Sequence, residues 1–300
     1  MKIYCKNFWR GFSIEHGLIR HLMERSIGPF KLAPTEHDAD IVLTSVFGDE
    51  PPRFPDKSIC VIWENVRPNY ALYRYSLSSD FDSYGGRNCR LPFWYEGLAW
   101  TGMTDLRVAP AGSNHHQEPL IDIDALVLPR TLTITGRERF CCFVAGNSEL
   151  HRIHAVDALS QLGSVDVYGA IADRPVRASK FELLKRYRFN ICFENSIYPG
   201  YYTEKAVHAW ISGCVPLYYA DPWYRSDFNP RALVNRIDFA TLEDFVKHVA
   251  AIEASKDAQA EIVSQPLLLK PPALEPVINF VRRACEEIND RNGGRSVRPR

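Results

Sequence analysis

The sequence predicts an α/β fold in which parallel sheets are covered by helices, and its second half predicts a Rossmann-like domain. Strand-like apolar segments alternate with amphipathic helical segments over most of the chain. The strand-like runs of the second half, such as "RFCCFV" and "FNICF", are apolar on both faces, as in parallel sheets covered by helices. At 300 residues the chain is long enough for two modest domains.

The start of the first half predicts a strand, a helix and two further strands, or a strand–helix–strand unit with an irregular connection. "KIYCKNF" is the first strand, and "SIEHGLIRHLMERSI" is a helix with its apolar residues on one side. "DIVLTSVF" and "SICVIWE" are the next strands. After Glu64 the sequence is rich in aromatic residues and less periodic. Proline and glycine interrupt the periodicity between residues 110 and 138, so we place one domain at 1–128 and another at 129–300.

In the second half of the chain, predicted strands and predicted helices alternate strictly. The predicted strands are "RFCCFVAGN", "SVDVYG", "FNICFEN" and "VPLYYA". The predicted helices are "SELHRIHAVDALSQLG", "SKFELLKRY", "TEKAVHAWISG" and "TLEDFVKHVAAIEA", the last with Thr241 as its N-cap. We expect the C-terminal helix to pack back on the first domain.

Composition favours a soluble globular protein. Lys+Arg and Asp+Glu both number 36, and basic residues are not gathered with aromatic ones, which argues against a nucleic-acid partner. No apolar run reaches the length of a membrane helix, so we expect a cytoplasmic protein with at most weak peripheral membrane contact. None of the eight cysteines forms a Cys-x-x-Cys pair, and we expect them to be reduced, mostly buried thiols.

One segment, "FENSIYPGYYTEK", places many hydrogen-bonding side chains between a strand and a helix. In an open parallel sheet, ligands bind beyond the carboxyl ends of the strands. The start of the following helix suits a phosphate, because its first N–H groups have no partner within the helix. Lys205 in that first turn opposes the helix dipole, so an anion-binding role explains its position better than a structural one.

This segment resembles the donor-binding motif of the α-1,3/1,4-fucosyltransferases, bacterial members above all. "FVAGNSELHRIHAVDAL", "VIWENVRPNYALYRYSLSSDFD" and "RLPFWYEGL" resemble further parts of the same family in the same order. The resemblance implies an inverting enzyme that moves L-fucose from GDP-fucose to a glycan hydroxyl, O3 of GlcNAc or Glc, in protein glycosylation or lipopolysaccharide synthesis. It implies a GT-B fold, in which two Rossmann-like domains with parallel sheets face each other across a cleft. The acceptor would bind mainly in the first domain and GDP-fucose in the second.

The resemblance also implies residue roles. Arg152 and Lys205 would contact the diphosphate, with Tyr201 beside the lysine and Asn195 near the pyrophosphate or fucose. Glu204 would fix the ribose side of the nucleotide. Glu194 would orient fucose hydroxyls, and structural pairing with a backbone amide is its alternative.

Glu64 matches the glutamate assigned as general base in that family. It ends a predicted strand at the ligand-facing edge, where Trp63 would partly desolvate the carboxylate and raise its pKa. A solvated or helix-capping role for Glu64 is an equally weighted alternative from the sequence alone.

We expect no required cofactor and no metal site, because two cations would hold the diphosphate. Asp80 and Asp82 form an Asp-x-Asp pair that leaves a metal open as an alternative. His151 and His154 are interpreted as a polar helix face. The competing functions are a GT-B transferase of another GDP-sugar and a non-catalytic nucleotide- or sugar-binding module.

Overall fold

The computed structural model describes residues 1–103, 118–131, 136–176 and 179–293, which form two compact units. The first unit contains residues 1–96, 101–103 and 273–293, and the second contains residues 97–100 and the described part of 118–272. Residues 118–128, predicted in the first domain, group with the second unit: Leu268 donates its N–H to the carbonyl of buried Leu126 at 3.0 Å.

The first unit is built on a six-stranded parallel sheet. Its strands are β1 (Lys2–Lys6), β2 (Lys31–Leu32), β3 (Ile41–Thr44), β4 (Ser58–Ile62), β5 (Tyr75–Ser78) and β6 (Asn88–Arg90), in the order β2-β1-β3-β4-β5-β6. β5 and β6 were not predicted as strands of this sheet, because one of the two buried faces of β5, that of Ser76 and Ser78, is polar. Ser76 and Ser78 donate to the amide oxygen of Asn88 at 2.8 and 2.9 Å.

The second unit holds a five-stranded parallel sheet. Its strands are β7 (Arg139–Val144), β8 (Val165–Tyr168), β9 (Tyr187–Ile191), β10 (Val215–Tyr218) and β11 (Val234–Asn235), in the order β11-β10-β9-β7-β8. The core between this sheet and its helices contains Phe143, Phe189 and Phe245, all at most 2% exposed. The two parallel sheets with helices confirm the predicted GT-B fold class.

Eight α-helices lie within the described residues. They are α1 (Gly17–Ile27), α2 (Ile123–Val127), α3 (Leu150–Leu159), α4 (Lys180–Leu184), α5 (Lys205–Ile211), α6 (Leu242–Glu253), α7 (Lys256–Ser264) and α8 (Glu275–Gly293). Thr241 caps α6 as predicted, accepting from the N–H of Asp244. α8 belongs to the first unit, where the hydroxyl of Ser26 donates to the carbonyl of Ile278 at 3.1 Å.

Two arginines ahead of β7 bind the C-terminal ends of α4 and α5. Arg130 donates to the carbonyls of Trp210 and Ile211, and its guanidinium lies 3.4 Å from the Trp210 ring centre. Arg137 donates to the carbonyls of Ser212 at 2.6 Å and Leu184 at 3.4 Å. These cations satisfy helix-end carbonyls that have no partner within the helices.

None of the eight cysteines, all of them described, forms a disulfide, and six are buried. No helix in the described ranges is long and apolar enough to cross a membrane.

Candidate active site

Three cationic side chains line one narrow cavity at the carboxyl edge of the second sheet. They are Arg152, Lys180 and Lys205, and each belongs to the first turn of its helix. The ends of β7 and β9 and the two residues that follow β9 form the rest of the wall. Arg152 and Lys205 were predicted to meet here, and the structure brings them together.

Arg152 is held by the chain that leaves β9. Its guanidinium donates to the carbonyl of Phe193 at 2.6 Å and to the amide oxygens of Asn195 and Asn147. The residue is 1% exposed, and its Nε has no hydrogen-bond partner among the described residues. Burial lowers the pKa of Arg152, while the nearby Glu194 opposes that shift. A buried guanidinium with an unused N–H is suited to an anion.

Glu194 is fully buried and accepts hydrogen bonds from four protein groups. Oε1 accepts from the N–H of Thr203 at 2.7 Å and the hydroxyl of Tyr218 at 2.8 Å. Oε2 accepts from the hydroxyl of Thr203 at 2.8 Å and the amine of Lys205 at 3.3 Å. This geometry favours the alternative of structural pairing with a backbone amide, and it positions Lys205. The predicted contact with fucose hydroxyls stays a prediction.

Lys205 and Glu204 begin α5 as an oppositely charged pair. The Lys205 amine also donates to the hydroxyl of Thr203 at 2.8 Å. Burial lowers the pKa of Lys205, but Glu204 and Glu194 outweigh it and the net shift is upward. Burial likewise raises the pKa of Glu204, but Lys205 and Lys180 outweigh it and bring that pKa to about 2. Both groups are therefore charged at neutral pH.

One carboxylate oxygen of Glu204 accepts no hydrogen bond from the described residues. Its Oε2 is buried and has no hydrogen-bond partner among the residues that the structure describes. A buried carboxylate oxygen without a donor is costly, so a ligand hydroxyl would be a favourable partner.

The two other predicted residues lie beside these groups. Tyr201 is 3% exposed, and its N–H donates to the carbonyl of Tyr198 at 3.0 Å. Asn195 is partly buried, and its side-chain oxygen is bound by Arg152.

Lys180 is a residue of this cavity that the sequence analysis missed. Its amine lies 3.3 Å from Nδ1 of His208. Burial lowers its pKa, although Glu204 opposes that shift. The signal was present in the sequence, because Lys180 is a cation in the first turn of a helix, as Lys205 is.

Glu64 lies in the first unit, two residues beyond the end of β4, and is partly buried. Aromatic rings of the same unit pack in a connected group with Trp63, the residue before Glu64. We call them the aromatic shelf: Phe8, Trp9, Phe12, Phe47, Trp63 and Phe93. The Trp63 ring centre lies 5.2 Å from that of Trp9 and 5.1 Å from that of Phe93. Trp63 is 5% exposed, and its effect on the Glu64 carboxylate stays a prediction.

A metal at Asp80 and Asp82 is less favoured, because protein donors already bind the Asp80 carboxylate. The Asp80 carboxylate accepts from Arg67 and from the hydroxyl of Tyr84 at 2.9 Å. His151 directs Nε2 to the carbonyl of Glu194 at 2.9 Å. The part of the chain that is described holds no group of three or more His, Cys, Asp and Glu side chains fit for a metal ion.

Glu194 provides a stability prediction. The Glu194→Ala variant is expected to lose about 3–5 kcal/mol of unfolding free energy, because it leaves a buried cation and an N–H without their acceptor. Urea denaturation followed by tryptophan fluorescence measures this. Glu243→Ala removes an exposed carboxylate that pairs with Lys247, and should change stability by less than about 0.5 kcal/mol. Equal denaturation midpoints for the two variants would contradict the structural role.

Two family profiles match the chain. Residues 134–262 match "Glycosyltransferase family 10 (fucosyltransferase) C-term", and residues 3–96 match "Alpha-(1,3)-fucosyltransferase FucT N-terminal domain". A similar curated protein is the alpha-(1,3)-fucosyltransferase FucT of Helicobacter pylori, 27% identical over 69% of this chain and 46% of its own length. Another is a 3-galactosyl-N-acetylglucosaminide 4-alpha-L-fucosyltransferase of Homo sapiens, 26% identical over 49% of this chain and 41% of its own. The chain thus spans less than half the length of these relatives.

The fold is similar to solved structures. Crystal structures described as alpha1,3-fucosyltransferase with GDP and with GDP-fucose superpose with TM-scores of 0.71 at 20% identity. Each superposition covers 95% of this chain and 90% of the other. This likeness shows that the fold is shared over nearly the whole chain.

Proposed function

The chain belongs to glycosyltransferase family 10, the α-1,3/1,4-fucosyltransferases, and on that premise we propose that it transfers L-fucose from GDP-fucose to a hydroxyl group of a glycan acceptor. The observation that carries this proposal is the convergence of Arg152, Lys180 and Lys205 on one cavity. A diphosphate is the part of a nucleotide sugar that such a cluster binds best, because each charge-assisted hydrogen bond is about twice as strong as a neutral one.

The donor is proposed to lie in the second unit. Arg152 and Lys205 hold the diphosphate, Asn195 and Tyr201 lie beside it, and Glu204 accepts from a ribose hydroxyl through its unused oxygen. Glu194 positions Lys205 by accepting a hydrogen bond from its amine. The GDP and GDP-fucose of the similar structures support the choice of nucleotide.

The proposed reaction is a single displacement with inversion. The acceptor oxygen attacks the anomeric carbon of fucose, and the bond from that carbon to the β-phosphate oxygen breaks. The electron pair of that bond leaves with GDP, and the acceptor proton passes to Glu64 as general base. The cations of the cavity stabilise the charge that develops on GDP, so we propose that no divalent metal is required.

The acceptor is proposed to bind beside Glu64 in the first unit. The aromatic shelf offers ring faces for the apolar side of a sugar, and its Phe47 is 45% exposed. We propose O3 of GlcNAc or Glc in an oligosaccharide as the attacking hydroxyl, which gives an α-1,3 linkage. The unpaired thiols support a reducing compartment, the cytoplasm.

A donor and acceptor screen tests the proposal. The purified chain is incubated with GDP-fucose, GDP-mannose or UDP-sugars, each with lactose or N-acetyllactosamine, and products are read by mass spectrometry. A mass increase of one deoxyhexose with GDP-fucose alone is expected. Transfer from another GDP-sugar would replace fucose as the donor, and GDP binding without any transfer would identify a binding module.

Lys180 provides a prediction about pH. The Lys180→Met variant is expected to bind GDP about ten-fold more weakly, the loss of one charge-assisted contact. Because the pKa of Lys180 is lowered, its proton is lost sooner than that of an ordinary lysine as pH rises. The GDP affinity of the wild type should therefore fall from neutral to alkaline pH, and the variant should show a shallower fall in calorimetry.

Lys185→Met is the matched control, because Lys185 is exposed and pairs with Glu182. It should bind GDP as the wild type does. An identical pH dependence for the wild type and Lys180→Met would show that Lys180 does not contact the phosphates.

A further inference from the structure

A second cationic cavity lies in the first unit, at the edge of the sheet opposite to Glu64. It encloses about 380 Å³, and we call it the arginine pocket. Its lining residues are Arg74, Tyr75, Gly85, Gly86, Arg87, Arg283 and Glu287. Arg74 directly precedes β5 and Arg87 directly precedes β6, so both stand at the amino ends of parallel strands, whereas Glu64 follows the carboxyl end of β4.

The pocket carries an excess of positive charge. Three guanidinium groups line it with one carboxylate, that of Glu287, so the balance of these four groups is plus two. Glu287 already accepts a hydrogen bond from the hydroxyl of Tyr75, and one of its oxygens lies 3.8 Å from Nε of Arg283. Like charges that converge without enough counter-charge repel each other, and a bound anion relieves this repulsion.

The three arginines differ in how many hydrogen bonds their side chains already donate to protein acceptors. Arg87 donates to the carbonyls of Arg74, Tyr70 and Tyr73, so it contributes mainly its charge. Arg283 donates one hydrogen bond to the carbonyl of Gly86 at 2.9 Å. The Nε of Arg74 is buried and has no hydrogen-bond partner among the described residues. Such a donor favours a ligand acceptor, because leaving it unpaired is costly.

Gly85 and Gly86 keep the pocket open. Their φ angles are +67° and +82°, a region that other residues rarely adopt. A Cβ atom built at either position has no described atom within 4 Å. The loop therefore bends past the arginines without placing a side chain over them.

We propose that the arginine pocket binds a phosphate monoester group. A dianionic tetrahedral oxyanion neutralises the excess charge of plus two and accepts from Arg74 and Arg283, and guanidinium groups match the oxygen geometry of phosphate. The phosphate belongs either to a soluble phosphate ester or to a lipid headgroup. This site is independent of the proposed transfer reaction, since its residues lie at the other edge of the sheet from Glu64.

Two measurements test the proposal on the full chain. Calorimetry with glycerol 3-phosphate reports the soluble ester, and flotation with phosphatidylcholine vesicles containing phosphatidic acid reports the lipid. Arg74→Gln and Arg283→Gln are expected to lower binding at least about ten-fold, the loss of one charged hydrogen bond each. Arg20→Gln, a partly exposed arginine of the same unit paired with Glu24, should bind as the wild type does.

The outcomes are distinct. Loss of glycerol 3-phosphate binding in both variants assigns a soluble ester, and loss of vesicle binding alone assigns a lipid headgroup. Because a phosphate can also enter the cavity around Arg152, the same titrations are made with Arg152→Ala. Binding that is lost in Arg152→Ala but kept in Arg74→Gln overturns the proposal, as does the absence of binding to either probe.

Discussion

A Glu64→Gln variant is expected to transfer fucose about 10²- to 10⁴-fold more slowly than the wild type, the range that a positioned general base contributes. The amide has nearly the shape of the carboxylate but cannot take the acceptor proton. Initial rates with GDP-fucose and a glycan acceptor measure the loss. GDP affinity should be unchanged, because the proposed donor residues all lie in the second unit.

The control for this variant is Glu50→Gln, which changes an exposed carboxylate of the same unit. It should transfer at the wild-type rate. A Glu64→Gln enzyme that keeps the wild-type rate would reject the assignment of the base, and one that loses GDP affinity as well would indicate a structural role.

Arg152→Ala and Lys205→Ala are each expected to weaken GDP binding about 10- to 150-fold, which corresponds to about 1.5–3 kcal/mol for one charge-assisted contact. Both changes also disturb the protein. Removal of Lys205 takes a cation from the buried carboxylate of Glu194, and removal of Arg152 frees the carbonyl of Phe193. Calorimetry with GDP, GMP and guanosine separates the effects, because only the phosphate-dependent part of the affinity should fall.

Arg231→Ala is the matched control, since Arg231 is 67% exposed and pairs with an exposed glutamate. It should retain the wild-type affinity for all three ligands. If Arg152→Ala and Lys205→Ala fold normally and bind GDP as tightly as this control, the diphosphate role of both residues is wrong.

Much of the donor side could be predicted from local patterns. The alternation of strands and helices places "FEN" and the helix of Lys205 at one sheet edge, and the same reasoning places Arg152 there. Both residues do line one cavity. Their predicted contacts with the diphosphate stay predictions.

Other features depend on contacts that no local pattern shows. β5 was missed because its buried serines bond to Asn88 of β6, so only the face that carries Tyr75 and Leu77 is apolar. The four donors around Glu194 include Tyr218, which is 24 residues away. α8 joins the first unit through contacts with α1 that span about 250 residues of sequence, such as that between Ser26 and Ile278. Most of the polar stretch at residues 109–119 lies outside the described residues.

The hydrogen bonds of Arg130 and Arg137 to the helix ends make these two arginines important for the position of the cavity lysines. Each of the short helices α4 and α5 begins with a lysine of the cavity, and arginine side chains bind the carbonyls at its C-terminal end. Loss of these hydrogen bonds would let each helix tilt, and the ammonium group of Lys180 or Lys205 would then move away from the nucleotide. A substitution at Arg130 or Arg137 would then resemble a donor-site lesion, although neither side chain touches the sugar nucleotide in the proposed complex.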